Sequence, residues 1–523
     1  MPTANEDNIY KISASLNPKK AAGNDLIPPK VVSRSARLLC KPLTDVINAT
    51  IEKGIFTSNA KLASVKPIYK KGSRLDVSNY RPISVISAFS KVIEKHFESS
   101  MVDYINSILS QYLSGFRKGY SCQHLLLRFT EEWRKYLDQN KIVGALLMDL
   151  SKAFDCLPHD LLIAKLEAYG FDTKTLSIFK SYLSQRKQFV NINGTLSDIL
   201  YILSGVPQGL ILGPILFNIF INDLLLHIKS TNTHNYADDN TLSTHGDTVN
   251  EVTKSLENGA EEALSWFTSN GMSANADKFQ AILARKDKKS TAGISLMIGS
   301  EEIKSEDQVK LVGVLIDNKL SYDEYISTCL KNASAKLNSI KRLGNFISKH
   351  QKKVLGYSYV LSYFKYCPIV WHFGNISNTH KTEKLHERVI RFIHSDYETD
   401  YFTLLKNLGL RTLYANRLEN ICTEIYKIKN GLDPKYLNEL ITDRPSQHQY
   451  RKPLDLLIPK SNQITFGYKS FRSLAPTIWN TLPNEIQAQT KLEEFKTKIG
   501  RINLAWCSCQ KCCDKQKQVQ QNL

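Results

Sequence analysis

The apolar and polar positions of this chain alternate in a way that opens as helix, passes to short strands joined by basic turns, and returns to long helices. After a basic, Pro-containing entry (Pro18, Lys19, Lys20, Gly23), Val31, Ala36, Leu39, Leu43, Val46 and Ile47 recur at helical spacing. The apolar run 65–68, the basic stretch 70–74 with its glycine and the extended 80–82 predict strand, turn and strand. Residues 89–109 and 125–137 each keep one apolar face, which predicts amphipathic helices on either side of a loop at 115–119. GALLMDL, 144–150, has the apolar run of a buried strand with Asp149 at its mouth. Residues 235–243 predict a hairpin centred on Tyr236-Ala237-Asp238-Asp239, because Asp and Asn favour tight turns. KLVGVLID, 310–317, reads as one strand. Leu330, Ala333, Leu337, Ile340 and Ile347 then mark one face of a helix whose other positions carry Lys331, Lys336, Lys341 and Arg342. The mixture places the chain in the α+β class.

The stretch 210–228 alone imitates a membrane span, but Gly213, Pro214, Asn218, Asn222 and Asp223 interrupt it, which predicts a buried core helix and no membrane partner. Met1 to Tyr10 is polar and lacks the apolar centre of a secretory leader. A length of 523 residues suggests two to four packed units, and 42% hydrophobic residues exclude wholesale disorder. The formal charge of +19 changes the picture more, since Lys and Arg spread along the chain favour a polyanionic partner, with nucleic acid the leading candidate. Six of the ten cysteines (Cys40, Cys122, Cys156, Cys329, Cys367, Cys422) stand singly and far apart, unlike a disulfide framework, which fits a reducing compartment.

Phosphodiester formation from a triphosphate needs an activated hydroxyl and neutralised pyrophosphate charge, both within reach of two divalent ions on hard oxygen ligands. Asp149 with Asp238 and Asp239 supplies such a set. Adjacent aspartates alone are more often a turn than a site, so the reading depends on what surrounds them.

SKAFD after the first aspartate, GVPQGLILGP in the middle and YADD afterwards stand in the order found in reverse transcriptases. NYRPIS (79–84), LSGFRKGYS (113–121), DLSKAFD (149–155), KLVGVLID, YCPIVW (366–371) and WNTLP (479–483) resemble, more narrowly, non-LTR retrotransposon polymerases of the jockey or LINE-like kind. The resemblance covers nearly all of residues 15 to 500. It implies a right-hand polymerase: a lead-in at 1–20, fingers and palm at 20–300, a thumb at 301–400, a mainly helical region at 401–500 and a Cys-containing tail at 501–523.

It also implies roles. Asp149, Asp238 and Asp239 become the catalytic acids holding two Mg²⁺ or Mn²⁺ ions, with Asp149 and Asp238 the principal ligands. Phe154 resembles the bulky residue that excludes a ribose 2′ hydroxyl. Arg81 and Lys70 resemble fingers residues that hold the triphosphate, Gln208 the residue beside the nascent base pair, and Lys278 a lysine that neutralises pyrophosphate. The implied partners are an RNA template, a DNA primer or target DNA and dNTPs, with target-primed synthesis in the nucleus. The family usually adds an endonuclease ahead of the polymerase, and no stretch here resembles one.

The sequence departs from the family's pattern at Leu210, where relatives carry a small hydroxyl residue, at Asn240 in place of threonine and at Tyr325 in place of histidine. The rival readings are a catalytically degenerate RNA- or DNA-binding remnant and an RNA-dependent RNA polymerase, against which Phe154 and YADD speak. Cys507, Cys509, Cys512 and Cys513 offer thiolates suited to zinc, but without a histidine or a second separated pair. The alternative for that tail is an unstructured, Gln-rich terminus.

Overall fold

The computed structural model describes residues 1–150, 153–287, 289–444 and 456–502. Thirteen strands occur among them: β1 (Leu62–Tyr69), β2 (Tyr80–Val85), β3 (Ile142–Asp149), β4 (Lys187–Ile192), β5 (Thr195–Leu196), β6 (Leu200–Tyr201), β7 (Asn232–Tyr236), β8 (Asp239–Gly246), β9 (Gln280–Ala284), β10 (Ser295–Ile298), β11 (Glu301–Glu306), β12 (Gln308–Leu311) and β13 (Val314–Asp317). They form a six-stranded sheet of order β10-β11-β9-β3-β8-β7, a five-stranded sheet β2-β1-β4-β5 with β6 on β4, and the hairpin β12-β13.

The six-stranded sheet positions the chemistry. β3 pairs antiparallel with both β8 and β9, so it is its central strand. Its near-continuous apolar run follows from cover on both faces. Leu146 and Met148 join one core with Val252, Leu256 and Phe217. Val143 and Ala145 join a second with Phe129, Trp133 and the helix Asp323–Arg342. At Gly144 the helix Val249–Ser269 comes so close that a Cβ would lie 2.5 Å from Val252 Cγ1.

The helix Cys122–Asp138 lies between the sheet and the C-terminal region. Ser121 caps it by accepting from the His124 N–H at 3.3 Å. One face packs Phe129 and Trp133 against the sheet, while Leu127 enters a third core with Leu418, Ile421 and Trp479. Its buried charges reach the C-terminal region: Glu131 accepts from the N–H groups of Phe471 (2.9 Å) and Arg472 (3.0 Å). Asp138 accepts from Gln463 N–H at 2.8 Å, and Arg134 donates to the Lys469 carbonyl at 3.0 Å. The helices beyond residue 400 are therefore built onto the sheet's own backing helix.

Two elements differ from the sequence reading. KLVGVLID is a hairpin, because Val312 (φ 42°) and Gly313 (φ 85°) both take left-handed backbone and reverse the chain between β12 and β13. The stretch 210–228 is two short helices, Gly213–Ile221 and Leu224–His227. Three of its polar side chains are tied to neighbours: Asn218 donates to the Gly115 carbonyl, Asn222 to the Ile108 carbonyl, and Asp223 pairs with Lys165 at 2.7 Å. Among the described residues no helix is long and apolar enough to cross a membrane.

Candidate active site

Three acids meet at one end of the six-stranded sheet. Asp149 ends β3, and the β3–β8 register sets it directly opposite Asp239, the first residue of β8. Cross-strand partners share a face, so the two carboxylates project together. Asp238 lies in the two-residue turn between β7 and β8, where Ala237 adopts left-handed backbone at φ 58°. Asn240, where the family's pattern has threonine, ties the hairpin: it accepts from Asn235 Nδ2 at 2.7 Å and donates to the Asp238 carbonyl at 3.3 Å. Asp239 keeps solvent contact, yet burial of its carboxyl, then the charges of Asp238 and Asp149, push its pKa up to about 6 against a smaller pull from Lys70. Crowded carboxylates of this kind favour a cation between them.

Cations do reach this end. Lys278 Nζ stands 2.9 Å from Asp149 Oδ2, brought there by a turn whose Asn275 N–H donates to the Asp149 carbonyl at 3.0 Å. Lys70 lies at the start of the β1–β2 turn, its N–H donating to the Asn79 carbonyl at 2.8 Å. Arg81, exposed on β2, pairs in register with Ile68. Both therefore belong to one hairpin of the five-stranded sheet. Lys70 is near enough to act on Asp239, and Arg81 touches none of the three acids.

Phe154 stacks on Phe217 with ring centres 4.5 Å apart and meets the edge of Phe116 at 5.8 Å. Its carbonyl accepts from the Val206 N–H at 2.7 Å, which joins the 153–157 segment to the loop carrying Gln208. Gln208 is held from two sides: Ser84 N–H donates to its carbonyl at 2.7 Å, and its Nε2 lies 3.5 Å from Asp155 Oδ2. Gly209 (φ 110°) permits this approach, since a Cβ there would lie 2.6 Å from the Ser84 carbonyl oxygen. Leu210 is buried in the main core. Tyr325, also buried, is hydrogen-bonded with Cys329.

Sequence reasoning missed Glu94. Fully buried in the helix Ala88–Ile108, it accepts from the N–H groups of Ile211 (2.7 Å) and Leu212 (3.3 Å) and from Tyr182 Oη (3.0 Å). It thereby fixes the turn that follows Gln208 and Gly209. Burial raises its pKa, opposed by the nearby Arg186 guanidinium. The only sequence signal was an acid among the apolar positions Val92, Ile93 and Phe97.

Among the described residues, only His124, Glu424 and Asp433 bring three metal-ligand atoms all within 4.8 Å of one another; the three aspartates stand further apart. Lys427 lies 3.3 Å from Glu424 and 3.5 Å from Asp433, while His124 Nε2 is 2.9 Å from Glu424. The Lys427 ammonium already faces both acids, so the cluster is an ion-pair network. Cys507, Cys509, Cys512 and Cys513 lie outside the described residues.

Residues 68–357 match the family model described as reverse transcriptase (RNA-dependent DNA polymerase). The chain is 25% identical over 360 residues to the RNA-directed DNA polymerase from mobile element jockey of Drosophila melanogaster, covering 67% of this chain and 39% of that protein. It is 25% identical over 423 residues to the probable RNA-directed DNA polymerase from transposon BS of the same fly, covering 78% of this chain and 46% of that one. The matched part thus spans less than half of these relatives. Among solved structures, telomerase from Candida albicans is similar at 14% identity and a TM-score of 0.37, covering 72% of this chain and 69% of that one.

Proposed function

This chain belongs to the reverse transcriptase (RNA-dependent DNA polymerase) family, and on that premise we propose that it copies an RNA template by nucleotidyl transfer from dNTPs onto a primer 3′ hydroxyl. The observation that carries the reading is the register of β3 and β8, which sets Asp149 opposite Asp239 with Asp238 in the adjoining turn. Members of the family use divalent metal ions. The donor set fits such ions, being three carboxylates of which one has its pKa pushed up to about 6. Asp149, Asp238 and Asp239 would hold them, with Mg²⁺ or Mn²⁺ the natural choice. When bound, the metal lowers the pKa of the attacking hydroxyl and neutralises charge on the pyrophosphate.

The chain's own side chains supply the rest of the reading. Arg81 and Lys70 offer a guanidinium fork and a point charge to the triphosphate from the β1–β2 hairpin. Phe154, braced by Phe217, presents a rigid ring for exclusion of a ribose 2′ hydroxyl. Gln208, fixed through its backbone to β2, lines the floor under the nascent base pair. Lys278, at 2.9 Å from Asp149, carries a charge and a proton for the departing pyrophosphate. The similarity to the jockey and BS polymerases extends the proposal to a non-LTR element, with RNA of the parent element as template, a nicked DNA 3′ end as primer and the nucleus as the place of synthesis.

The test is primer extension on an RNA template with dNTPs and Mg²⁺, comparing the purified chain with Asp149→Ala and Asp238→Ala. Metal-dependent extension lost in both variants is expected. Extension that survives either substitution would remove that acid from the site. No extension by the unaltered chain, with salt-sensitive RNA binding retained, would replace the proposal with a binding remnant.

A further inference from the structure

The loop 113–121 is the part of the fold that touches the catalytic turn from outside the sheet. Leu113 forms a parallel bridge with Asn235, and Ser114 N–H donates to the Asn235 carbonyl at 3.1 Å. Gly115 passes so near the turn that a Cβ on it would lie 2.3 Å from the Ala237 nitrogen. Phe116, at φ 57° and half exposed, sets its ring edge against Phe154. A displacement of this loop therefore moves both the turn carrying Asp238 and the brace of Phe154.

The far side of the loop is held by the C-terminal region. Tyr436, 3% exposed in the short 3-10 helix Lys435–Leu440, places its hydroxyl 3.4 Å from Ser114 Oγ. Its ring stacks on Tyr112 at 6.1 Å and meets Tyr120 at 6.2 Å. The Arg128 guanidinium lies 4.1 Å from the Tyr112 ring centre and 5.5 Å from that of Tyr436, and donates to the Thr233 carbonyl of β7 at 3.2 Å. Just ahead, the Leu432 carbonyl oxygen lies 3.6 Å from where a Cβ on Gly119 would stand. Asp433 is fixed by His124 at 3.5 Å and Lys427 at 3.5 Å, which anchors this turn to the first turn of the helix Cys122–Asp138.

We propose that Tyr436 is a positioning residue for nucleotide selection: by gripping Tyr112, Ser114 and Tyr120 it holds the 113–121 loop against the catalytic turn and Phe154. The inference rests on the polymerase reading above and deepens it. Tyr436 touches no reacting atom. It acts through Ser114 to Gly115 and Phe116, so its loss loosens the site and leaves the acids intact. The consequence is a shift in triphosphate KM and in sugar discrimination larger than any shift in kcat.

The experiment compares Tyr436→Leu, which keeps apolar volume and loses the ring, with Tyr436→Phe, which keeps the ring. Phe495→Ala is the control, because Phe495 is buried in the same C-terminal core but stacks on Tyr426 at 4.4 Å and Trp479 at 5.9 Å rather than on Tyr112 or Tyr120. Single-nucleotide incorporation and hydrogen–deuterium exchange of 109–121 and 235–240 are both read. Expected for Tyr436→Leu are faster exchange in both segments, a dNTP KM raised roughly tenfold and a comparable fall in dNTP-over-rNTP preference. Tyr436→Phe should restore nearly all of this. Phe495→Ala should lower the melting temperature without shifting either readout.

Unchanged exchange in Tyr436→Leu would overturn the inference whether or not the chain polymerises. So would extension with unaltered KM and selectivity, or equal effects from Phe495→Ala. Failure of the unaltered chain to extend a primer would instead strike the polymerase reading, and the exchange data would still decide the contact.

Discussion

Gly115→Ala tests the close approach on which the site depends. The added Cβ would stand 2.3 Å from the Ala237 nitrogen, 2.8 Å from its Cα and 3.0 Å from its Cβ, and the first two are backbone atoms. Ordinary contact begins near 3.4 Å, so loop and turn must part by about 1 Å. Neither side yields freely. The loop is held by Ser114 N–H on the Asn235 carbonyl and by Asn218 on the Gly115 carbonyl, and the turn by the Asn235–Asn240 amide pair. Overpacking of this kind costs roughly 1–3 kcal/mol of stability, and a displacement near 1 Å at the chemistry costs on the order of a hundredfold in rate. Single-turnover incorporation should therefore fall about a hundredfold while thermal unfolding shifts by only a few degrees. Gly194→Ala is the converse control: Gly194 has positive φ (94°), which Gly115 lacks, and nothing lies within 4 Å of its Cβ, so that variant carries a conformational cost and no clash. A Gly115→Ala enzyme within threefold of the unaltered rate would refute the claim that this loop and the catalytic turn are rigidly apposed.

Phe154→Ala should raise ribonucleotide incorporation relative to deoxynucleotide, because the stacked ring on Phe217 is lost; unchanged sugar selectivity in a competition assay would end the assignment. Arg81→Ala should raise triphosphate KM with little change in kcat, and a normal KM would remove Arg81 from the site. Glu94→Ala leaves the Ile211 and Leu212 N–H groups and Tyr182 Oη without their acceptor beside Arg186, so it should destabilise by about 3–5 kcal/mol. Chemical denaturation checks this, and Glu94→Gln, which keeps one acceptor oxygen, should recover part of the loss. Asp172 caps the helix Thr173–Leu183 by accepting from Thr175, whose hydroxyl and N–H hold its pKa down to about 2. A depressed carboxyl pKa stabilises the fold above the unfolded value near 4, and that stability is lost as pH falls toward about 2. With the side chain 60% exposed, Asp172→Ala should cost only about 1 kcal/mol at pH 7, an effect that fades on acidification in melting scans.

What could be read from the sequence were features written in neighbouring residues. Asp149 at the end of an apolar run, the Asp-Asp turn, and the helices around 89–109 and 125–137 follow from periodicity and turn chemistry, and the fold has them at β3, the β7–β8 turn, Ala88–Ile108 and Cys122–Asp138. Where two local signals competed, the reading failed: the apolar content of KLVGVLID concealed a turn for which Gly313 was the evidence. Residues acting across long separations were invisible. Glu94 meets its N–H partners 117 and 118 residues on, Glu131 caps a helix 340 residues on, and Tyr436 grips a loop 322 residues back.

These long-range contacts share a physical logic. Each is a side chain from one helix that satisfies or braces backbone outside any ladder, Glu131 at a helix start and the others at loops, and irregular backbone is what a metal-dependent active site needs at the ends of its strands. Such loops lack a ladder of their own to fix them. Their placement must come from neighbours that are themselves rigid, here the helices Ala88–Ile108 and Cys122–Asp138 and, through Tyr436, the C-terminal region. The acids can thus be intact in a sequence while the geometry that makes them useful is set by residues hundreds of positions away. On the polymerase reading, the chain should lose nucleotide selectivity before it loses its fold when those distant supports are cut.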